Sequence, residues 1–247
     1  MILGPVLLFA LLGSAGAVSA AACILLLPDR WIERLVPRLV SYAIGTLLGA
    51  SLLRMLPHAL THLEGRKAML ALLGGLLGFF LLESVLLFRH CHEPHCPVHS
   101  GSGVLILIGD AFHNFIDGLV IAGAFLASPP VGALTGFAVI AHEIPQEIGD
   151  FGILLGSGFG RKKAFGLNLL SSLTTLVGAV GGYFILGRLQ PLVPYILCVS
   201  AASFLYVALA DLIPGRRHKK NAGEMLLELA LVLLGLLTIA GLTGGHR

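Results

Sequence analysis

Long apolar runs separated by short polar breaks organise this chain, and their lengths predict helices that cross a membrane. Eight runs fall near residues 3–27, 38–60, 67–89, 103–127, 131–157, 164–187, 192–213 and 224–243. Each is close to the roughly 20 residues that carry an α-helix across the hydrocarbon core of a bilayer. The breaks are chemically plain: Pro28-Asp29-Arg30, Glu64-Gly65-Arg66-Lys67, residues 90–99, Ser128-Pro129-Pro130, Arg161-Lys162-Lys163, Arg188 to Pro191, and Gly215 to Asn221. A helix bonds its own backbone N–H and C=O groups, which a segment surrounded by lipid requires. The expected fold is all-α, a polytopic membrane protein with eight transmembrane helices in a single transmembrane domain over residues 1–247.

Composition narrows this further. Hydrophobic residues make up 56% and charged residues 12% of the chain, with a mean hydropathy of +0.93. Water-soluble domains carry about twice that charged fraction. The net charge of +3 does not point to nucleic acid, because the basic residues sit in short loops. Membrane lipid is the expected surrounding. Close helix contacts are expected at the small-xxx-small pairs Gly45/Gly49, Gly74/Gly78, Gly132/Gly136, Gly152/Gly156 and Gly178/Gly182.

Loop charges set the orientation. Breaks after the first, third, fifth and seventh runs hold eleven Lys and Arg, against four (Arg66, Lys67, Arg188, Arg247) on the other side, with Arg54 inside a run. The positive-inside rule puts the richer side in the cytoplasm and both termini outside it, in a plasma (inner) membrane. Val18-Ser19-Ala20 has the look of a cleavage site, but no Lys or Arg precedes Arg30 and the apolar run is too long for a signal peptide. Two groups of three helices would then run in opposite senses around a central pair, a 3+2+3 arrangement with an inverted repeat. Ala50-Ser51-Leu52-Leu53 ahead of Leu56-Pro57-His58 is faintly echoed by Ala202-Ser203-Phe204-Leu205 ahead of Asp211-Leu212-Ile213-Pro214.

The central pair holds the chemistry. Five of the thirteen Asp and Glu (Asp110, Asp117, Glu143, Glu147, Asp150) fall between residues 110 and 150, in otherwise apolar runs. A charged side chain at bilayer depth costs roughly 2.5–3.5 kcal/mol on insertion scales and marks a pathway or a binding site. At about 100° per residue, Asp110, His113, Asn114 and Asp117 share an arc of about 100°, and His142, Glu143, Gln146, Glu147 and Asp150 one of about 140°. His113/Asp117, His142/Gln146 and Glu143/Glu147 are i,i+4 pairs, able to reach one ion. Carboxylates this dense, with no basic partner in either run, would without a cation repel one another or have to be protonated. Imidazole and carboxylate without thiolate are donors for a divalent metal. Pro145 adds a carbonyl, that of Ala141, freed of its helical partner. Pro57 and Pro214 do the same near His58 and Asp211, which are placed as entrance or exit groups of a pathway.

The pattern is specific enough to resemble a known family. Asp110 with His113-Asn114-Phe115-Ile116-Asp117-Gly118 matches D-x-x-H-N-x-x-D-G, and His142-Glu143-Ile144-Pro145-Gln146-Glu147-Ile148-Gly149-Asp150 matches H-E-x-P-H-E-x-G-D except at Gln146. The chain resembles a ZIP (ZRT/IRT-like) divalent metal transporter, a bacterial-type chain similar to the subgroup with that fifth-helix motif. The resemblance implies transport of zinc, or of iron, manganese or cadmium, toward the cytoplasm by alternating access. It implies a two-ion centre: His113, Asp117, His142 and Gln146 at one site, and Asn114 and Glu143 with shared Asp117 and nearby Glu147 at the other. Asn168 stands where the family often places another polar ligand. A 3+2+3 bundle, often a homodimer, is implied as well. Glutamine for histidine at 146 supplies a harder, neutral oxygen, which bears on the metal preferred.

The break at 90–99 gathers His90, Cys91, His92, His95, Cys96 and His99. On the cytoplasmic side these are expected to be reduced thiols and imidazoles that catch metal transiently. Cys23 and Cys198 read as small apolar residues. The metal is expected as substrate, with no organic cofactor. Two other readings are a metal-selective channel-like conductor and, more remotely, an intramembrane metalloprotease. His142-Glu143 begins like H-E-x-x-H, but Gln146 and Pro145 break that motif, so no enzyme activity is expected.

Overall fold

A computed structural model describes residues 2–88, 99–213 and 222–241, with side chains described except at 82–88, 99–106, 156 and 211. Regular structure among the described residues is helical throughout. The helical runs are α1 (Leu3–Ile24), α2 (Asp29–Leu60), α3 (Gly65–Phe88), α4 (His99–Ala127), α5 (Pro129–Gly156), α6 (Arg161–Arg188), α7 (Gln190–Ala210) and α8 (Ala222–Gly241). Among the described residues six of these, all but α3 and α5, are long and apolar enough to cross a membrane. Helix α5 carries Glu143, Glu147 and Asp150.

Local chemistry explains the ends. Helix α5 starts where the Ser128 side chain accepts from the Val131 N–H at 3.3 Å, and Pro129 and Pro130 fill the first positions, where no helical N–H is needed. It runs unbroken through Pro145. Helix α2 begins at Asp29, well before the expected apolar run, because Arg30, Glu33, Arg34 and Arg38 continue it as an amphipathic extension around Pro37. Among the described residues three π-turns occur, Leu12–Gly16 in α1, Ser51–Met55 in α2 and Val207–Leu212 across the end of α7. The latter two each stand two residues ahead of a proline in the sequence, Pro57 and Pro214. A π-turn accommodates one extra residue per turn and so relieves the clash a proline ring makes with the preceding turn.

The bundle is apolar outside and polar inside. Leu70, Leu73, Leu77 and Leu81 of α3 and Leu226, Leu229, Leu233 and Leu237 of α8 are exposed, whereas Asp110, Asn114, Asp117, His142, Glu143, Glu147 and Asn168 are buried. Water as solvent would penalise both halves of that distribution; lipid penalises neither. The protein is an integral membrane protein.

Small residues let two helix pairs approach to backbone contact. A Cβ on Gly118 would overlap the Thr175 carbonyl and one on Gly178 the Phe115 carbonyl, which locks α4 against α6. Gly45 against the Val232 carbonyl and Gly235 against that of Tyr42 do the same for α2 and α8. Of the five expected pairs, Gly45/Gly49, Gly132/Gly136 and Gly178/Gly182 are packed; Gly74, Gly78 and Gly152 face open space, and Gly75 meets Ala202 instead.

Helix neighbours follow a pattern. The closest partnerships are α4 with α6, α2 with α8, α3 with α7, α2 with α7, α4 with α5, and α5 with both α1 and α2. Exchanging α1 with α6, α2 with α7, α3 with α8 and α4 with α5 maps α2–α8 onto α7–α3, and α4–α6 onto α5–α1. That exchange sets two groups of three helices around a central pair, and the π-turns of α2 and α7 fall in helices it relates.

Candidate metal centre

The polar stripes of α4 and α5 face each other. His113 and Asp117, one helical turn apart on α4, meet the consecutive His142 and Glu143 of α5. The two Nε2 atoms of His113 and His142 are 3.4 Å apart. His142 Nε2 lies 3.1 Å from Asp117 Oδ2 and 3.5 Å from Glu143 Oε1. His113 Nε2 lies 3.5 Å from Glu143 Oε1 and 3.9 Å from Asp117 Oδ2. Donors about 2.0–2.1 Å from a tetrahedral zinc ion stand about 3.3–3.4 Å from one another. The four side chains are therefore already spaced as ligands.

Their chemistry agrees with the spacing. His142 Nδ1 pairs with the Ala138 carbonyl at 2.9 Å; a carbonyl only accepts, so Nδ1 is the donor. In the neutral ring, Nε2 then turns its lone pair into the cluster, the orientation a metal-binding histidine takes. The carboxylate oxygens of Asp117 and Glu143 are buried and make no hydrogen bond. Buried polar groups are otherwise almost always bonded, and lone pairs converging from four side chains need a cation between them. The His142 ring also meets Phe204 of α7 edge to face, with centroids 5.6 Å apart, which gives the centre an apolar wall.

A second acidic group adjoins the first through Glu143. Asp110, Glu143 and Glu147 are all buried, with one oxygen of each within 4.8 Å of the others. Helix α6 supports them. Asn168 Nδ2 donates to Glu147 Oε2, and Ser171 Oγ donates to Asp110 Oδ2 at 2.6 Å. Asn114 Nδ2 donates to Asp110 Oδ1 at 2.8 Å while its Oδ1 accepts from Thr175 at 2.7 Å. Glu147 Oε1 and Asn168 Oδ1 are buried without a hydrogen bond, so oxygen donors remain available at this group too.

Comparison with known proteins decides where such a centre belongs. Residues 89–243, more than half of the chain, match the family described as ZIP zinc transporter. The chain belongs to the ZIP family. Among its relatives is the zinc transporter ZIP13 of Pongo abelii, 33% identical over 219 residues, covering 82% of this chain and 65% of that protein. Human zinc transporter ZIP4 is 30% identical over 275 residues, covering 83% of this chain and 41% of the relative. Human zinc transporter ZIP10 is 39% identical over 146 residues, covering 55% and 18%. The match thus spans less than two thirds of each of these relatives.

Within this ZIP chain, the structure brings His113, Asp117, His142, Glu143, Asp110 and Glu147 together, with Asn114 and Asn168 bonded to their flank. Asp110 stands among the carboxylates themselves. Gln146 is half-buried one turn beyond His142, and Asp150 is half-buried further along α5. His58 lies at the end of α2, against a different cavity. The Asp211 side chain and His90, Cys91, His92, His95, Cys96 and the His99 side chain lie outside the described residues. Sequence reasoning passed over Ser171 and Thr175. Their signal was present: Asn168, Ser171, Ser172 and Thr175 repeat on α6 the intervals of Asp110, His113, Asn114 and Asp117 on α4.

Proposed function

We propose that this protein carries divalent metal ions, zinc foremost, across the plasma (inner) membrane toward the cytoplasm by alternating access. One observation carries the reading: two imidazoles and two buried carboxylates whose oxygens make no hydrogen bond converge from α4 and α5 at about the spacing a tetrahedral ion requires. His113, Asp117, His142 and Glu143 hold the ion, with Gln146 as a neighbouring neutral donor. Asp110, Glu143 and Glu147, steadied by Asn114 and Asn168, form the adjoining oxygen-rich site. Iron, manganese and cadmium fit the same nitrogen and oxygen donors.

In this reading the whole chain is one domain crossing lipid eight times with both termini extracytoplasmic, and two copies pair as a homodimer. Asp150 and Asp211 flank the pathway, and the loop histidines and cysteines receive metal on the cytoplasmic side.

The test is zinc uptake into proteoliposomes by wild type, Asp117→Ala and His142→Ala. Saturable uptake with counterflow in wild type, and none in either folded variant, is the expected result. Flux linear in metal concentration would make it a channel-like conductor, and undiminished flux in both variants would remove the site assignment.

A further inference from the structure

The end of α2 carries a histidine pair that the central cluster does not use. His58 and His62 sit one helical turn apart with ring centroids 5.2 Å apart and planes inclined by 51°. Two imidazoles that share one tetrahedral zinc through nitrogens about 2.0–2.1 Å from it have centroids about 5 Å apart. The pair already stands at that separation.

Both rings line a cavity of about 190 Å³, several times the roughly 30 Å³ a water occupies in the liquid, so an ion with part of its hydration shell fits. The remaining walls come from the end of α4, where Leu126 and Ala127 lie, and the start of α7, with Val193, Pro194 and Leu197. The third polar side chain of the lining is Gln190. Its Nε2 donates to the Gly187 carbonyl at 3.3 Å, which leaves the amide oxygen as the acceptor or ligand. Among the described residues no Lys or Arg lines the cavity. Two nitrogen donors, an amide oxygen and an apolar wall free of positive charge suit a hydrated divalent cation.

We infer that His58 and His62, with Gln190 beside them, bind a divalent cation of the zinc type at a site separate from the α4–α5 centre. With only two imidazoles and neutral oxygens, this site holds its ion more weakly than the carboxylate-rich centre. On the proposed topology it opens on the extracytoplasmic face, where an ion arrives first. The binding itself rests on side-chain spacing and stands whether or not the chain transports.

The test is protection of histidines from diethyl pyrocarbonate by added zinc, read peptide by peptide by mass spectrometry on the full chain in detergent. Site-by-site readout keeps the loop histidines and the central pair from masking the result. Zinc is expected to slow modification of His58 and His62 in wild type, and equally in the Asp117→Ala/His142→Ala variant. In His62→Gln the protection at His58 is expected to vanish while that at His142 persists. His62 is exposed, so this variant keeps its fold, and it decides the matter alone if the double variant does not fold. Protection of His58 that survives His62→Gln, that disappears with the central ligands, or that never develops would overturn the assignment.

Discussion

Asp117 and Glu143 each bury two oxygens without a hydrogen bond, an arrangement that costs stability whenever no cation offsets it. Metal should therefore act as a strong stabiliser, worth about 2.7 kcal/mol at a hundredfold excess over Kd. Replacing Asp117 by Asn is expected to raise the unfolding midpoint of metal-free protein in detergent and to abolish the upward shift on adding zinc. A wild type whose midpoint ignores zinc would count against the centre. Asn168 presents a different case, because its amide is the donor to buried Glu147. Asn168→Leu should cost about 1–3 kcal/mol, the penalty for stranding a buried acceptor, measurable as a lower midpoint with and without metal. Most of the cluster was legible in the sequence: the i,i+4 pairing of His113 with Asp117, and five carboxylates without a basic partner, leave few physical alternatives. Ser171 and Thr175 share the α4 spacing but do not stand out by type, since hydroxyls in an apolar helix bond the preceding turn as a matter of course; both also do so here, to Asn168 and Ser172.

At the scale of helices, α4 owes its position to contacts that any side chain would spoil. Gly118 and Gly178 sit directly on the carbonyls of Thr175 and Phe115. Gly118→Val or Gly178→Val must push α4 away from α6 and break the Thr175–Asn114 bond, with an expected loss of at least the 1–3 kcal/mol typical of overpacking and weaker zinc binding. Gly74→Ala, which meets open space, should leave both within error. Equal behaviour of the two classes in a thermal scan with zinc titration would refute the packing argument. Spacing alone did not separate them: Gly74/Gly78 and Gly178/Gly182 are the same pattern in sequence, and only the neighbour each helix meets distinguishes them. The extension of α2 to Asp29 was hidden for a related reason, because an apolar run ends where lipid ends, whereas a helix continues into water.

For the molecule as a whole, the alternation of apolar runs and the sparse, lopsided loop charge made the all-helical membrane architecture readable. The pairing of helices was not, because lipid-facing and core-facing leucines look alike in a sequence where both surroundings are apolar. Orientation remains open to a direct check. In a background without other cysteines, Leu26→Cys and Leu189→Cys both lie on exposed turns, after α1 and α6. An impermeant maleimide added to intact cells should label position 189 and reach position 26 only after permeabilisation; the reverse result would invert the topology. The bonds from Asn168, Ser171 and Thr175 also have a mechanical side. They tie α6 to α4 and α5, so on the proposed carrier reading these helices would move together around the ion. What α7 lays against them at His142 is a phenyl ring, which grips through contact alone and forfeits no hydrogen bond when it slips. If the ion is to leave, the yielding surface is the greased one beside Phe204, and the polar framework can travel with its cargo intact.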